Sequence, residues 1–562
     1  MTAARILTFA VICCCPAVCS AADPVEAIHP SGLAVVDWAI ILAYAAGTIG
    51  LGWYYSRRQG STEEYFIGSG NMNPFLVGVS LFATLLSTIS YLSMPGEALG
   101  KGPVNLSVFL TLPAVYYIVA YGLLPVYMKQ KVTSAYELLE KKLGLSVRLL
   151  GAFLFIILRL IWMSLLVFLT AKAMVIMMGL GDRYIPVVAL ATGFVAVIYT
   201  SLGGLRAVII TDLMQTILLY GGALLVLAII TFDLGGFSWF PTEWKESWDT
   251  QPFFPEDLST RVSFVGAVAS FLVWYVCTAG GDQTSVQRFM ATADAAAARR
   301  AFATQLIVSV IVGGTLGLVG FALLGYFEAH PDLVPAGSSL KANADKMFPH
   351  FIGFHLPVGV AGLVVAAMFA AAMSSIDSGV NSITAVVMTD GFDRLGTAQL
   401  TERQHVAMAR WLAFGIGAVA VIGSSAMGWV PGNISAVTGK TSNLLTTPIF
   451  GLFFFALFVP FASPVGAWIG TLIGTLTAVL VAFSGPLVLA LHLLWDVDPT
   501  TLGTTLVTTV NEATGDTVLS CPDPISFQWI SPFAITVNIA TGCVASLIFP
   551  ARFKGAPDTA IS

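Results

Sequence analysis

Five polar residues lie close together in an otherwise apolar segment, residues 371–381. They are Ser374, Ser375, Asp377, Ser378 and Asn381. On a helix that turns about 100° per residue, Ser374, Asp377, Ser378 and Asn381 share one face, and Ser375 lies at its edge. Oxygen atoms are the ligands that hard cations take in proteins, and hydroxyls with carbonyls suit sodium without excess charge. The pattern therefore favours a sodium site, with helix packing through small polar residues as the alternative.

Six ionisable residues lie within, or at the edge of, apolar segments long enough to cross a membrane. Burial of a charge in a bilayer is costly, so such residues are functional candidates. Two interpretations of Arg159 stay open, a side chain that reaches the membrane interface or an ion pair within the bundle. Asp212 could instead cap its helix or pair with Arg206. The six residues are Arg159, Lys172, Asp212, Asp282, Asp377 and Lys440.

Two of the apolar segments are interrupted by polar and helix-breaking residues. The first interruption spans 83–96 and includes Pro95 and Gly96, and the second spans 274–283 and includes Gly280 and Gly281. Each interrupted segment opens a group of five segments. A matched pair of broken helices is typical of inverted-repeat transporters, in which unwound backbone at membrane depth lines a binding cavity.

The composition requires a membrane environment for these elements. The chain has 562 residues, of which 57% are hydrophobic and only 10% are charged. A soluble protein carries about 25% charged residues. The net charge of −5 and the absence of a basic patch argue against a nucleic-acid partner. We expect one polytopic bundle in contact with membrane lipid, and no cofactor.

Thirteen apolar segments follow the N-terminal region, each close to the length that spans a hydrocarbon core. We divide them into a leading helix (34–55), a first repeat (74–230), a second repeat (262–459) and peripheral helices (464–549), followed by a tail (550–562). The predicted spans are 34–55, 74–97, 103–127, 148–178, 184–202, 206–230, 262–281, 302–327, 355–386, 406–429, 434–459, 464–484 and 527–549.

The loop charges predict the orientation. Residues 1–22 carry one arginine before a short apolar run that ends in small residues, which is the outline of a signal peptide. One set of alternating loops holds sixteen Lys and Arg residues and the other set holds six, so the first set is cytoplasmic. The mature N-terminus is then outside and the C-terminus is in the cytoplasm. In a bacterial cell this describes a multi-pass protein of the inner membrane.

Four motifs resemble those of the solute:sodium symporter family, which includes sodium/glucose, sodium/proline and sodium/iodide transporters. Residues 64–68, EYFIG, are similar to the family's "EYFLAGR". Residues 199–212, YTSLGGLRAVIITD, resemble "YTxxGGLxAVxxTD", and residues 282–288, DQTSVQR, resemble "NQxxVQR". Asp282 thus stands where the family has Asn. The fourth motif is the Ser374-Ser375 segment, and the likeness covers residues 34–480.

The resemblance implies a leucine-transporter-type fold, with two inverted repeats of five helices, one leading helix and two C-terminal helices. It also implies a sodium site between the first and eighth core helices. Its ligands, carried over by motif, are the carbonyls of Ala83, Leu86 and Ala371 and the hydroxyls of Ser374 and Ser375.

Some members of the family bind a further sodium ion. The matching residues here are Asp212, Ser374 and Ser378, with Asp377 at the position before Ser378, where the family has Ser or Thr. The extra carboxylate of Asp377 would strengthen cation binding or carry a proton. The number of sodium ions, and H⁺ as the coupling ion instead, therefore stay open.

The substrate site is expected beside the two breaks, lined by Thr84, Ser87, Ser90, Tyr275 and Thr278. Residues 85–90 lack the "NxSAEQ" pattern of the sugar-transporting branch and look more like the monocarboxylate, iodide and vitamin branch. Lys172 and Lys440 would then face an anionic substrate, with snorkelling of both lysines as the alternative.

These observations predict a sodium-coupled symporter that imports a small organic solute by alternating access, with a monocarboxylate or another small anion as the substrate. A monomer would suffice. A sodium/sugar or amino-acid symporter is the alternative within this class. A channel or a transporter-like sensor is the alternative outside it. An enzyme is not expected, because no HExxH, GxSxG or GxxxxGK motif is present.

Overall fold

The computed structural model describes residues 32–56, 70–130, 132, 134–335, 339–394, 396, 401–429, 434–510 and 517–550. The predicted signal peptide (1–22), the motif at 64–68 and the tail from residue 551 lie outside these residues. The described chain is almost entirely helical, which confirms the predicted all-α class.

The first half of the chain folds into long apolar helices joined by short connections. Residues Pro103–Thr111 form a 3₁₀ helix, and Ile118–Leu123 form a π-helical turn between two short α-helices. The α-helices of this half are α1 (Val35–Ser56), α2 (Pro74–Leu85), α3 (Thr88–Gly100), α4 (Leu112–Tyr117), α5 (Leu124–Gln130), α6 (Glu137–Leu143), α7 (Leu145–Met177) and α8 (Ile185–Asp233).

The second half repeats the pattern and adds a small hairpin. Strands β1 (Val507–Val510) and β2 (Thr517–Ser520) pair antiparallel, with Val507 opposite Ser520. The helices are α9 (Phe264–Gly281), α10 (Gln283–Met290), α11 (Ala295–Ala329), α12 (Ala344–Phe354), α13 (Val360–Val386), α14 (Glu402–Gly423), α15 (Ile434–Phe458), α16 (Pro464–Ala482), α17 (Ser484–Trp495) and α18 (Ile530–Ile548).

Within the described residues, 11 helices are long and apolar enough to cross a membrane, and the bent pair α2–α3 brings the number to 12. The remaining one of the thirteen predicted spans, 184–202, is the helical stretch of α8 that precedes Gly204. Helix α8 has 49 residues, and at about 1.5 Å per residue a straight helix of that length would far exceed a bilayer. Gly204 divides it, with φ 62° and ψ 174°.

The first predicted interruption is a sharp bend between α2 and α3. The two helices meet at 66°. Leu86 leaves the helix with φ −86° and ψ 110°, and Ser87 is extended before α3 begins. This break removes the regular hydrogen-bond partners of nearby backbone carbonyls, which makes them available to groups on neighbouring helices.

The second predicted interruption is centred on Asp282. Helix α9 ends at Gly281, and α10 begins at Gln283. Asp282 has an extended backbone, and its side chain caps α10 by accepting a hydrogen bond from the Thr284 N–H at 2.8 Å. The sequence therefore located both breaks to within a few residues.

Helix α13 lies at the centre of the bundle. It packs against α1, α7, α8 and α2, and every residue from Ala370 to Val386 is buried. Its polar side chains therefore face protein rather than lipid. The break in α2–α3 and the one at Asp282 both adjoin this helix, so the fold brings the three polar segments predicted from the sequence together.

Candidate functional site

The α2–α3 break and α13 bring backbone carbonyls and serine hydroxyls together. The Ser374 hydroxyl donates to the carbonyl of Ala83 at 2.9 Å and lies 3.0 Å from that of Ala371. The Ser375 hydroxyl donates to the carbonyl of Thr84 at 3.2 Å. Four of the five predicted sodium ligands, Ala83, Ala371, Ser374 and Ser375, thus surround one small volume, and Leu86 is the residue at which the backbone leaves α2.

This volume has the composition that a small hard cation requires. All of its polar groups are oxygens, and both serines are buried, at 1% and 2% exposure. No carboxylate takes part in these hydrogen bonds. An arrangement of neutral oxygens holds a monovalent cation without a compensating charge, and the hydroxyl protons can turn away from an ion that arrives.

The residues of the predicted second cation site contact two neighbouring helices. Asp377 is fully buried and accepts a hydrogen bond from the Thr200 hydroxyl on α8. Ser378 lies with its hydroxyl 2.9 Å from Thr84 Oγ1. Asp212 accepts a hydrogen bond from Ser80 Oγ at 2.5 Å. Asp377 thus contacts α8, whereas Ser378 and Asp212 both contact α2.

An arginine lies between Asp212 and Ser378. The guanidinium of Arg288 is fully buried, with Nη2 at 2.5 Å from Ser378 Oγ and 3.6 Å from Asp212 Oδ2. Its Nε donates to Ser80 Oγ at 2.8 Å. Arg288 thus supplies the positive charge that faces Asp212. Arg288 is one of the sixteen Lys and Arg residues that the loop count above placed in the cytoplasm, and this assignment was wrong, because all residues of α10 are buried within the bundle.

A cavity of about 270 Å³ lies beside the two breaks. Four predicted substrate residues, Thr84, Ser90, Tyr275 and Thr278, line it. Thr278 Oγ1 makes no hydrogen bond within the described residues. The rest of the wall is mostly aromatic and apolar, with further polar groups from neighbouring helices. These include Phe109, Trp162, Phe271, Trp274, Ser93, Asn105, Ser442, Asn443 and Gln528.

The other three predicted substrate residues are not part of the cavity wall. Ser87 is fully buried within the α2–α3 break. Lys440 forms an ion pair with Asp523, with Nζ 2.6 Å from Oδ2. Lys172 is half-buried on α7, away from the lining residues. The two lysines therefore do not supply a positive charge to this cavity.

Arg159 supplies that charge instead. It lines the cavity from α7 and is 6% exposed, and its Nη2 forms an ion pair with Asp282 Oδ2. Of the two interpretations that the sequence allowed, pairing within the bundle is therefore correct. The Arg159 Nε has no hydrogen-bond partner among the described residues. This buried donor at a cavity wall can bind a ligand acceptor.

Comparisons with known proteins agree with this arrangement. The model of the sodium:solute symporter family matches residues 65–474. The chain is 31% identical to the sodium/sialic acid symporter SiaT of Proteus mirabilis, over 82% of this chain and 91% of that protein. It is 26% identical to the human sodium-coupled monocarboxylate transporter 1, over 77% of this chain and 70% of that protein. These relatives are transporters, not enzymes.

A solved structure supports the fold. A Na⁺-coupled sialic acid symporter in a substrate-bound, outward-open state superposes with a TM-score of 0.72. It is 24% identical in sequence, and the match covers 92% of this chain and all of that one. The predicted leucine-transporter-type fold is thereby confirmed.

Proposed function

The chain belongs to the sodium:solute symporter family, and we propose that the small organic solute it carries with sodium bears a carboxylate that Arg159 binds. The observation that carries this proposal is a buried guanidinium in the cavity wall with an unused N–H donor. Guanidinium groups recognise carboxylates through paired, charge-assisted hydrogen bonds. Relatives whose names specify sialic acid or monocarboxylates also support an acidic solute.

Sodium binds, in this proposal, between the carbonyls of Ala83, Leu86 and Ala371 and the hydroxyls of Ser374 and Ser375. The ion draws the α2–α3 break against α13. Thr84 connects this site to the cavity, because its carbonyl accepts from Ser375 and the residue lines the cavity wall. Sodium binding therefore orders the surface on which the solute rests, so each ligand increases the affinity for the other.

The solute rests against Thr84, Ser90, Tyr275 and Thr278, with its carboxylate towards Arg159. Arg159 thus takes the role of the cation that faces an anionic solute, which the sequence predicted for Lys172 and Lys440. Tyr275 is held in place by Gln305, whose Nε2 donates to its hydroxyl at 3.0 Å. Sodium at one site is the simplest coupling scheme, because the positive charge of Arg288 already faces Asp212 and takes the place of a second cation there. H⁺ carried by Asp377 is the alternative scheme.

The sodium gradient supplies enough free energy for accumulation. One charge that crosses ~100 mV contributes about 2.3 kcal/mol, and a tenfold sodium gradient adds about 1.4 kcal/mol. Together they correspond to roughly 500-fold accumulation per sodium ion for a solute without net charge, whereas a monoanion carried with one sodium ion moves no net charge and draws only on the roughly tenfold sodium gradient. A channel could not concentrate its solute in this way, which separates the two classes by experiment.

Stability of the purified protein against a panel of paired compounds tests the proposal. Each carboxylate, with or without an amino group, is compared with its own neutral amide, in sodium and in potassium. A ligand that binds only the folded state raises its melting temperature. We expect a shift from a carboxylate in sodium, a smaller one in potassium and none from its amide. An equal shift from the amide would contradict the role of Arg159.

Location and assembly follow from the family and the loop charges. The chain is a multi-pass membrane protein, and we propose the inner membrane of a bacterium, a surrounding of lipid and a monomer as the transporting unit. The N-terminus is outside and the C-terminus is in the cytoplasm. A cysteine that replaces exposed Ser259 should react with an impermeant thiol reagent in intact cells, whereas one at exposed Thr401 should not. The reverse labelling would invert the topology.

A further inference from the structure

The wall of the cavity carries two opposite charges side by side. Arg159 and Asp282 both line it, and they form an ion pair with each other. The side chains of the two residues are 7% and 5% exposed. No other Lys, Arg, Asp or Glu is among the residues that line the described cavity. The cavity therefore offers a solute one cationic group and one anionic group.

Asp282 is held where it is by the fold. One of its oxygens, Oδ1, accepts the Thr284 N–H and caps α10, which leaves Oδ2 for Arg159. Its backbone forms the break between α9 and α10. Because the cap holds the carboxylate in place, Asp282 stays at the cavity wall when Arg159 binds a ligand. Its charge must then be balanced by something else.

A solute that is only an anion meets an energetic obstacle here. If its carboxylate replaces Asp282 on Arg159, then Asp282 remains as a buried charge without a partner, which is strongly unfavourable. If Asp282 stays paired with Nη2 and the carboxylate of the solute takes the free Nε, two carboxylates share one guanidinium, and the cavity holds one negative charge that nothing balances. An uncharged solute leaves the pair intact but gains nothing from either charge.

A solute with an ammonium group beside its carboxylate avoids this obstacle. Its carboxylate binds Arg159 and its ammonium binds Asp282, so one buried ion pair is exchanged for two. Trp162 and Trp274 line the same cavity and offer aromatic faces to the cationic end. We propose that this transporter selects zwitterionic solutes, with a carboxylate and an ammonium group on one small molecule, and that Asp282 determines this preference.

This inference rests on the proposed function and is tested with compounds that differ in one group. The probes are three pairs of a zwitterion and its desamino acid: L-phenylalanine and 3-phenylpropionate, L-proline and cyclopentanecarboxylate, and γ-aminobutyrate and butyrate. Binding is measured in sodium as the shift in melting temperature of the full-length protein. We expect stabilisation from at least one zwitterion and a shift from its desamino partner that is smaller or absent.

Asp282→Asn is the decisive variant. Asparagine also caps helices, so α10 should keep its start while the cavity loses its negative charge. The desamino acid should bind the variant about tenfold or more tightly than it binds wild type, and the zwitterion about tenfold or more weakly. Loss of both ligands, with sodium-only stabilisation unchanged, would mean that Asp282 acts only as a positioning residue, and would overturn the inference.

Asp523→Asn is the matched control. Asp523 also accepts one backbone N–H, from Gly485 at 2.9 Å, and also pairs with a basic residue, Lys440. Neither Asp523 nor Lys440 lines the cavity. The preference between zwitterion and desamino acid should therefore be the same in this variant as in wild type.

The outcomes separate this inference from the proposed function. Stabilisation of wild type by desamino acids equal to that by zwitterions overturns the inference and leaves the carboxylate site of Arg159 in place. Stabilisation by analogues that keep the ammonium group but lack the carboxylate would overturn both the inference and the proposed function. The absence of a shift from every carboxylate tested would do the same. No shift from any of the three zwitterions also overturns the inference.

Discussion

The hydroxyl of Ser374 is the side-chain group that joins the two halves of the proposed sodium site. It lies within 3.0 Å of the carbonyls of both Ala83 and Ala371. Replacement by alanine removes one oxygen ligand. The interaction of such a polar group with a charged partner contributes about 1.5–3 kcal/mol. Ser374→Ala should therefore weaken the apparent sodium affinity of uptake roughly 10- to 100-fold.

Ser382→Ala is a suitable control for this prediction. Ser382 lies about two turns further along the same helix and is fully buried, and its hydroxyl donates to Gln287 Oε1 at 2.9 Å. Its removal should leave sodium dependence unchanged. A sodium dependence of Ser374→Ala that matches wild type would exclude this serine as a ligand.

Arg288 should matter first for stability. It is fully buried and contacts Asp212, Ser80 and Ser378. Arg288→Leu leaves the carboxylate of Asp212 buried without its counter-charge, which costs about 3–5 kcal/mol for such pairs. The melting temperature in detergent should fall sharply. The double variant with Asp212→Asn should recover much of the loss, whereas strictly additive losses would show that the two charges do not interact.

Among the elements, helix α8 kinks at Gly204. Its φ of 62° with ψ of 174° is a conformation that side chains other than glycine rarely adopt. Gly204→Ala should reduce the free energy of unfolding by about 1–3 kcal/mol. The melting temperature should fall accordingly.

Gly221 in the same helix provides the comparison. A Cβ added there meets nothing within 4 Å, and its φ is not positive. Gly221→Ala should be neutral or slightly stabilising, because alanine favours the helix by about 1 kcal/mol. Equal effects of the two substitutions would argue that the break does not depend on the backbone of Gly204.

The connection between α12 and α13 carries a pH-dependent group outside the membrane spans. Burial, together with His350 and His330, lowers the pKa of His355 to about 4. Since the unfolded state binds the proton first, stability should fall as the pH decreases from about 6.5 to 4. His355→Phe should flatten the dependence of melting temperature on pH over that range. An unchanged slope in His355→Phe would contradict this assignment.

The elements were largely predictable from the sequence, and the contacts between them were not. Polar and small residues marked the breaks at 83–96 and 274–283, although Pro95 and Gly96 lie within α3 and the bend itself falls at Leu86 and Ser87. The burial of Arg288 and the Arg159–Asp282 pair depend on how α10 and α7 pack. Arg288 is the seventh residue of the motif that begins at Asp282, and this position was the clue to its burial. A count of loop charges does not use it.

In the whole molecule, the proposed mechanism has sodium and the solute stabilise one another's binding. In it, sodium at the α2–α3 break positions Thr84, and the solute contacts both Thr84 and the Arg159–Asp282 pair. Neither site is complete in an isolated helix, since α2, α7, α9 and α13 each contribute to one of them. Only the assembled bundle can therefore couple the sodium gradient to solute uptake.

Current across proteoliposomes that contain the purified chain tests this claim most directly. The solute is the compound that raises the melting temperature most in sodium. With a zwitterionic solute we expect solute accumulation and an inward current that both require sodium, and both should need a higher sodium concentration in Ser374→Ala. A monoanion carried with one sodium ion should accumulate without a net current. A sodium current that the solute does not change, or solute uptake that proceeds equally in potassium, would contradict the proposed coupling.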